Sequence, residues 1–215
     1  NLYGVIDFYK ACLKADIKPI VGVDFYLAAR TRNDKESGID SRRKRLILLA
    51  KNEVGYKNLI RLVTFSHLEG FYYKPRVDKE LLEQNKEGLL AIISTFSGEL
   101  SASLQAGRFD EALAVVEYYR GLYGNDSVFV EITHHPEIEN HQALTDATIK
   151  FSREHNVPLV ATNDVQYLKP EDAPARRTLL SIQSGGDFGS RNSFLDNDAD
   201  FSFVSGETMA QRFAN

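Results

Sequence analysis

Three side chains stand where an α/β protein does its chemistry. Asp24 lies within the first apolar strand, His135 follows the strand 128–132 beside His134, and Asp164 closes the strand 158–162 in the string Thr162-Asn163-Asp164. Thr95 follows the strand 89–93. In parallel α/β folds, function collects at the carboxyl ends of strands. Asp24, His135 and Asp164 make a hard-to-borderline ligand set suited to Zn, Mn or Mg. Water on such an ion attacks a phosphoester. Each residue also has a plainer reading. Asp164 after Asn163 suits a turn or a helix cap. His134-His135-Pro136 suits a loop that opens a helix. Asp24 alternates with Val23 and Phe25, which suits a side chain facing solvent. Spacing alone leaves both readings open.

The elements that must position these residues follow from periodicity. Val5, Phe8, Tyr9, Cys12 and Leu13 recur at helical spacing, with Asn1 as the expected cap. Pro19 ends that helix and opens a strand over 20–29. A polar loop over 30–43 precedes the apolar run 46–50 and a helix over 54–66. Strand 89–93, helices 98–106 and 109–122, strand 128–132, helix 137–155 and strand 158–162 continue the alternation. A helix near 171–183, a Gly/Ser/Asp-rich loop over 184–200, a short strand 201–204 and a helix capped by Ser205 complete it. Continuous apolar strands alternating with helices predict parallel strands covered by helices. Five strands in this order suit a barrel or an open sheet; a barrel usually needs more, so one or more strands are expected before Asn1.

Composition narrows the function classes. The chain has 215 residues, enough for one good-sized domain with a real core. At 43% hydrophobic and 26% charged residues, disorder is disfavoured. No apolar run approaches membrane-spanning length, and no signal-peptide pattern opens the chain. One cysteine, Cys12, excludes an internal disulfide, fits a reducing cytoplasm and removes thiolate-rich zinc sites. The net charge of −4 argues against a domain that tracks DNA phosphates by itself. The local exception is Arg42-Arg43-Lys44-Arg45, beside Arg30, Arg32 and Lys35, which reads first as a solvated loop. Aromatic and basic residues interleave in Gly70-Phe71-Tyr72-Tyr73-Lys74-Pro75-Arg76. That pattern suits base stacking, but an ordered loop with packed aromatics is the simpler reading.

Five strings in fixed order carry a resemblance: IKPIVGVDFY (17–26), LILLAKNEVGYKNLIRLV (46–63), HLEGFYYKPRVD (67–78), FSGEL (96–100) and VPLVATNDVQYL (157–168). Together they resemble the PHP (polymerase and histidinol phosphatase) domain that opens bacterial replicative DNA polymerase III alpha subunits. The resemblance implies an α/β, PHP-type distorted β/α barrel whose first strand or strands are absent here. It implies a PHP domain over 1–183 and a loop and exit segment toward a palm domain over 184–215. The family's opening metal-binding strings, of the form HxHS and TDHGN, would precede Leu2, with Asn1 the last residue of the second.

In active PHP domains a cluster of His, Asp, Glu and sometimes Cys holds up to three metals. By resemblance, Asp164 matches the Asp of the family's NDxH string and His135 matches a ligand His. Asp24 stands where many active members have Glu. Arg45 stands where the His before the LLAK strand would be, Gln166 replaces the His of NDxH, and Thr95 stands where many members have Cys. An arginine brings a fixed positive charge that repels a cation. The resemblance therefore implies a remnant metal site at Asp24, His135 and Asp164, with Arg45 pairing with Asp24 or Asp164 in place of the ion. Zn or Mn is not expected there.

The function implied is a segment of a polymerase that joins dNTPs on a DNA template. Synthesis falls to downstream domains whose carboxylates bind Mg, and this segment is catalytically degenerate and structural. The implied partners are a proofreading exonuclease, a sliding clamp and primer-template DNA, in the cytoplasm and without a membrane. Two alternatives remain: a metal-dependent PHP phosphoesterase (proofreading exonuclease, pyrophosphatase or histidinol-phosphatase-like), and a non-enzymatic interaction module.

Overall fold

A computed structural model describes residues 1–183 and 199–214. The expected loop over 184–200 lies almost wholly outside the described residues. The elements run α1 (Val5–Lys14), β1 (Gly22–Leu27), β2 (Lys44–Ala50), α2 (Glu53–Leu68), β3 (Arg76–Val77), α3 (Lys79–Gln84), β4 (Leu89–Ile93), α4 (Ser101–Gln105), α5 (Phe109–Tyr123), β5 (Val128–Ile132), α6 (His141–His155), β6 (Leu159–Ala161), α7 (Ala173–Gln183) and α8 (Gly206–Arg212). Among the described residues no helix is long and apolar enough to cross a membrane.

The fold is α/β, built on one six-stranded sheet in the order β3-β1-β2-β4-β5-β6, which does not close among the described residues. Its strands are not all parallel, as their apolar runs had suggested. β1 pairs antiparallel with β2, and β2 antiparallel with β4, while β1–β3, β4–β5 and β5–β6 are parallel. The reason lies in the connections. A parallel crossover is usually carried by a helix, and the stretch between β1 and β2 contains none. Strand β3, which the sequence reading passed over, adds a sixth member.

One sheet face is fully covered. Val23, Phe25 and Leu27 of β1, Leu46 and Leu48 of β2, Leu89, Ala91 and Ile93 of β4, and Val128 and Val130 of β5 are buried in one core. Helix α2 packs on β2, β3 and β4, and α5 packs on β4 and β5. Asn52 starts α2 by accepting a hydrogen bond from the Gly55 N–H at 3.0 Å. Gly55 then meets Gly88 so closely that a Cβ would lie 1.9 Å from the Gly88 carbonyl oxygen. Asp78 caps α3 in the same way through the Leu81 N–H.

The polar stretch between β1 and β2 is held from below by Arg76, which is fully buried. Its guanidinium donates to the carbonyl oxygens of Gly70, Asp40, Arg32 and Asp34 at 2.9 to 3.1 Å. Arg32 reaches Asp78, Glu69 and Glu80, and Arg30 reaches Glu36 and Asp40.

Three local expectations are corrected. Asn1 does not cap α1; its side chain accepts from the Tyr3 N–H, and Gly4 occupies the cap without a side-chain bond. Helix α6 begins at His141 rather than 137, because residues 136–140 form turns and Asn140 sits at φ 62°. Residues 201–204 form no strand but a single parallel bridge, Tyr167 to Ser202. The expected cap at Ser205 is present, accepting from the Thr208 N–H at 3.2 Å.

Candidate functional site

The site lies on the second, less covered sheet face. Asp24 on β1 and Arg45 on β2 are diagonal neighbours across the antiparallel ladder, since Tyr26 pairs with Arg45 and Asp24 with Ile47. Diagonal pairs on one face are within reach of long side chains. Arg45 Nε donates to Asp24 Oδ2 at 2.7 Å, and Arg45 Nη2 reaches the same oxygen at 2.5 Å. Burial works against the Arg45 charge. Asp24, with Asp164 and Glu131 beyond it, more than offsets this and raises the Arg45 pKa above its ordinary value.

Arg45, Glu131, His135 and Asp164 share a cavity of about 30 Å³, with Ser94, Thr133 and Phe201 also on its walls. That is room enough for an ordered water molecule. Glu131 is buried and accepts from the Thr162 hydroxyl at 2.6 Å. Asp164 is tied to Gln166, whose amide nitrogen donates to Asp164 Oδ1 at 2.8 Å. Asn163 donates to the Ser202 carbonyl at 2.8 Å.

His135 is buried, and neither ring nitrogen has a hydrogen-bond partner among the described residues. Its ring lies 4.7 Å from that of Phe201 and 5.5 Å from that of His141. Burial lowers the His135 pKa, against the pull of Asp164, which favours the neutral imidazole. His141 is neutral for the same reason, its pKa pushed down to about 4, and its Nε2 lies 2.8 Å from the Thr133 hydroxyl.

Of the three candidate ligands, His135 and Asp164 line one cavity, and Asp24 joins them only through Arg45. Among the described residues no group of three or more His, Cys, Asp or Glu side chains stands close enough to share a metal ion. Thr95 is buried beside the site and donates to the Glu131 carbonyl oxygen at 2.9 Å. The sequence reading missed Glu131 and Phe201. A lone Glu in the apolar run Val128-Phe129-Val130-Glu131-Ile132 was the available signal for the first. Phe201 arrives by a long-range contact that no local pattern marks.

The PHP domain family matches residues 1–135. The chain belongs to the PHP domain family. The match ends at His135, while the PHP sheet continues past it into β6. Over nearly its whole length the chain is also similar to curated proteins named DNA polymerase III subunit alpha. It is 39% identical over 214 residues to that of Treponema pallidum, covering 99% of this chain and 18% of the relative. To that of Borreliella burgdorferi it is 38% identical over 214 residues, again 99% of this chain and 18% of the relative. To that of Thermus aquaticus it is 38% identical over 186 residues, 86% of this chain and 15% of the relative. The chain thus spans less than a fifth of the length of these relatives.

Proposed function

We propose that this PHP domain is a segment of a replicative DNA polymerase III alpha subunit, and that its own site is a degenerate one in which Arg45 stands in for a metal ion. The polymerase reading is supported by the similarity that runs through 99% of the chain, well past the family match. In this reading residues 1–183 form the PHP unit and 184–215 lead toward the palm domain. Template-directed joining of dNTPs, with its Mg, belongs to downstream domains. The proofreading exonuclease, the sliding clamp and primer-template DNA are partners of the whole protein, in the cytoplasm.

The degenerate reading is supported by one observation above all, the Arg45–Asp24 pair facing Asp164 and Glu131. The donors do not suit a divalent ion. A cation placed among Asp24, His135 and Asp164 would meet a fixed guanidinium charge, and Asp24 is already engaged. The two nitrogens of His135, which have no hydrogen-bond partner among the described residues, are the observation that favours a residual ion instead.

Thermal melting separates these readings. With Arg45 as the counter-charge, EDTA leaves the melting temperature unchanged, and Arg45→Ala lowers stability by about 1 kcal/mol, the scale of a partly exposed ion pair. A fall of several degrees on chelation, or no loss in Arg45→Ala, overturns the degenerate site. The polymerase reading is tested separately by reading the gene beyond codon 215. A long frame carrying paired palm aspartates supports it, and an early stop codon overturns it.

A further inference from the structure

Two features that stand 25 or more residues apart in sequence, the basic run at 42–45 and the aromatic-basic loop at 70–76, are linked by contacts in the fold. Arg43 lies over the ring of Tyr26, 5.3 Å from its centre. Tyr26 is the register partner of Arg76 on the neighbouring strand β3. The guanidinium of Arg76 lies 5.3 Å from the ring of Tyr72, and the Tyr72 and Tyr73 rings are 4.6 Å apart. A chain of contacts thus runs from Arg43 to Tyr73, passing beneath the surface at the buried Arg76.

The side chains on this surface that form no ion pair among the described residues are mainly cations. The carboxylates nearby are taken up internally. Arg30 holds Glu36 and Asp40, Arg32 holds Glu69, Asp78 and Glu80, and Asp34 accepts from Thr31. Arg76 is turned inward to backbone carbonyls. Arg42, Arg43, Lys44 and Lys74 are exposed, and none of them forms an ion pair among the described residues.

Two aromatic residues of the loop are left largely exposed. Phe71 is 51% exposed and Tyr73 is 66% exposed. Tyr73 also sits at φ 59°, a left-handed conformation that is costly for a bulky residue. The turn enforces this conformation: the Tyr72 N–H donates to the Lys74 carbonyl, and Arg76 Nε donates to the Gly70 carbonyl. A strained backbone that presents a ring to solvent is stabilised by its surroundings without any gain in burial.

We propose that the segment Arg42–Lys44 and the loop 70–75 together bind single-stranded nucleic acid, with phosphates on the free cations and bases stacked on Tyr73 and Phe71. Single strands fit better than an acidic peptide, because exposed aromatic faces offer a carboxylate chain nothing, whereas every base has a face to stack. They fit better than duplex, whose bases are already stacked. The surface adjoins the Arg45–Asp24 pair, one register step along β2. The proposal does not depend on the polymerase reading.

The test is fluorescence anisotropy of a labelled thymidine 20-mer titrated with the 215-residue chain at low salt and at several higher salt concentrations. Saturable binding that weakens with salt is expected. Tyr73→Asn with Phe71→Ser should weaken it by about tenfold or more, the scale of lost base stacking. Asn tolerates the left-handed backbone, so this variant removes the ring without adding strain. Replacing Arg42, Arg43 and Lys44 by Gln should reduce the salt slope by about 2. Far-ultraviolet circular dichroism melts of both variants should match the parent chain. No saturable binding at low salt, or full affinity in the folded aromatic variant, overturns the proposal. Equal affinity for blunt duplex DNA or for polyglutamate of matched length also overturns it.

Discussion

At the scale of single residues, the site is a pair of buried imidazoles beside a cation. Arg45 carries the fixed positive charge, while burial keeps His141 unprotonated and lowers the His135 pKa. This has a pH consequence with a definite sign. The folded His141 pKa is lowered from 6.5 to about 4, so the unfolded chain binds the proton more readily. Its contribution to stability is full above pH 6.5, is lost as pH falls toward 4, and does not decline further below that. The slope is at most about 1.4 kcal/mol per pH unit for one group. His135 acts in the same direction. Urea unfolding between pH 4 and 7 should show the loss, and His141→Gln should flatten that limb relative to the parent chain. Parallel curves would refute the assignment. Little of this was legible locally. Asp164 and His135 stood out by type and by their place after apolar runs. The Arg45–Asp24 pair became visible only through the resemblance, because strand pairing places two residues twenty-one positions apart side by side.

At the scale of elements, periodicity succeeded where one face of a long element decides its burial. Helices α2 and α5 and strands β4 and β5 fall close to where the apolar spacing placed them. It failed for β3 and α3. A two-residue strand has no period to read, and a six-residue helix barely completes one. Strand direction was also hidden, since an apolar run is the same read either way. The short strand β3 is nonetheless where the polar stretch over 30–43 is secured, through three of its carbonyl groups bound to one buried guanidinium. Arg76→Met should therefore cost more than about 3 kcal/mol, because it leaves several buried acceptors unsatisfied at once. Chemical denaturation measures this directly. A loss under about 1 kcal/mol would mean that the carbonyl groups find other partners.

At the scale of the whole molecule, the two sheet faces differ. One is sealed by α2 and α5, and the other carries the site and is closed only in part. Helix α1 adds to this asymmetry, since none of its residues is buried, and Ile6, Phe8, Tyr9 and Leu13 are exposed. The sequence placed this helix correctly but implied a core-facing stripe. An amphipathic pattern reports a preference for burial without supplying the surface that satisfies it. An apolar area of this kind promotes association. Sedimentation velocity should show the sedimentation coefficient rising with protein concentration, and Ile6→Lys with Leu13→Lys should remove that rise. A coefficient independent of concentration in the parent chain would refute it. The guanidinium of Arg76 also imposes a sequence of events during synthesis. Arg32, Asp34 and Asp40 leave the ribosome well before Arg76, and their carbonyl groups have no anchor until it follows. The surface formed by the 42–45 and 70–76 segments is therefore completed only after the β1–β2 ladder has the residues it needs to form.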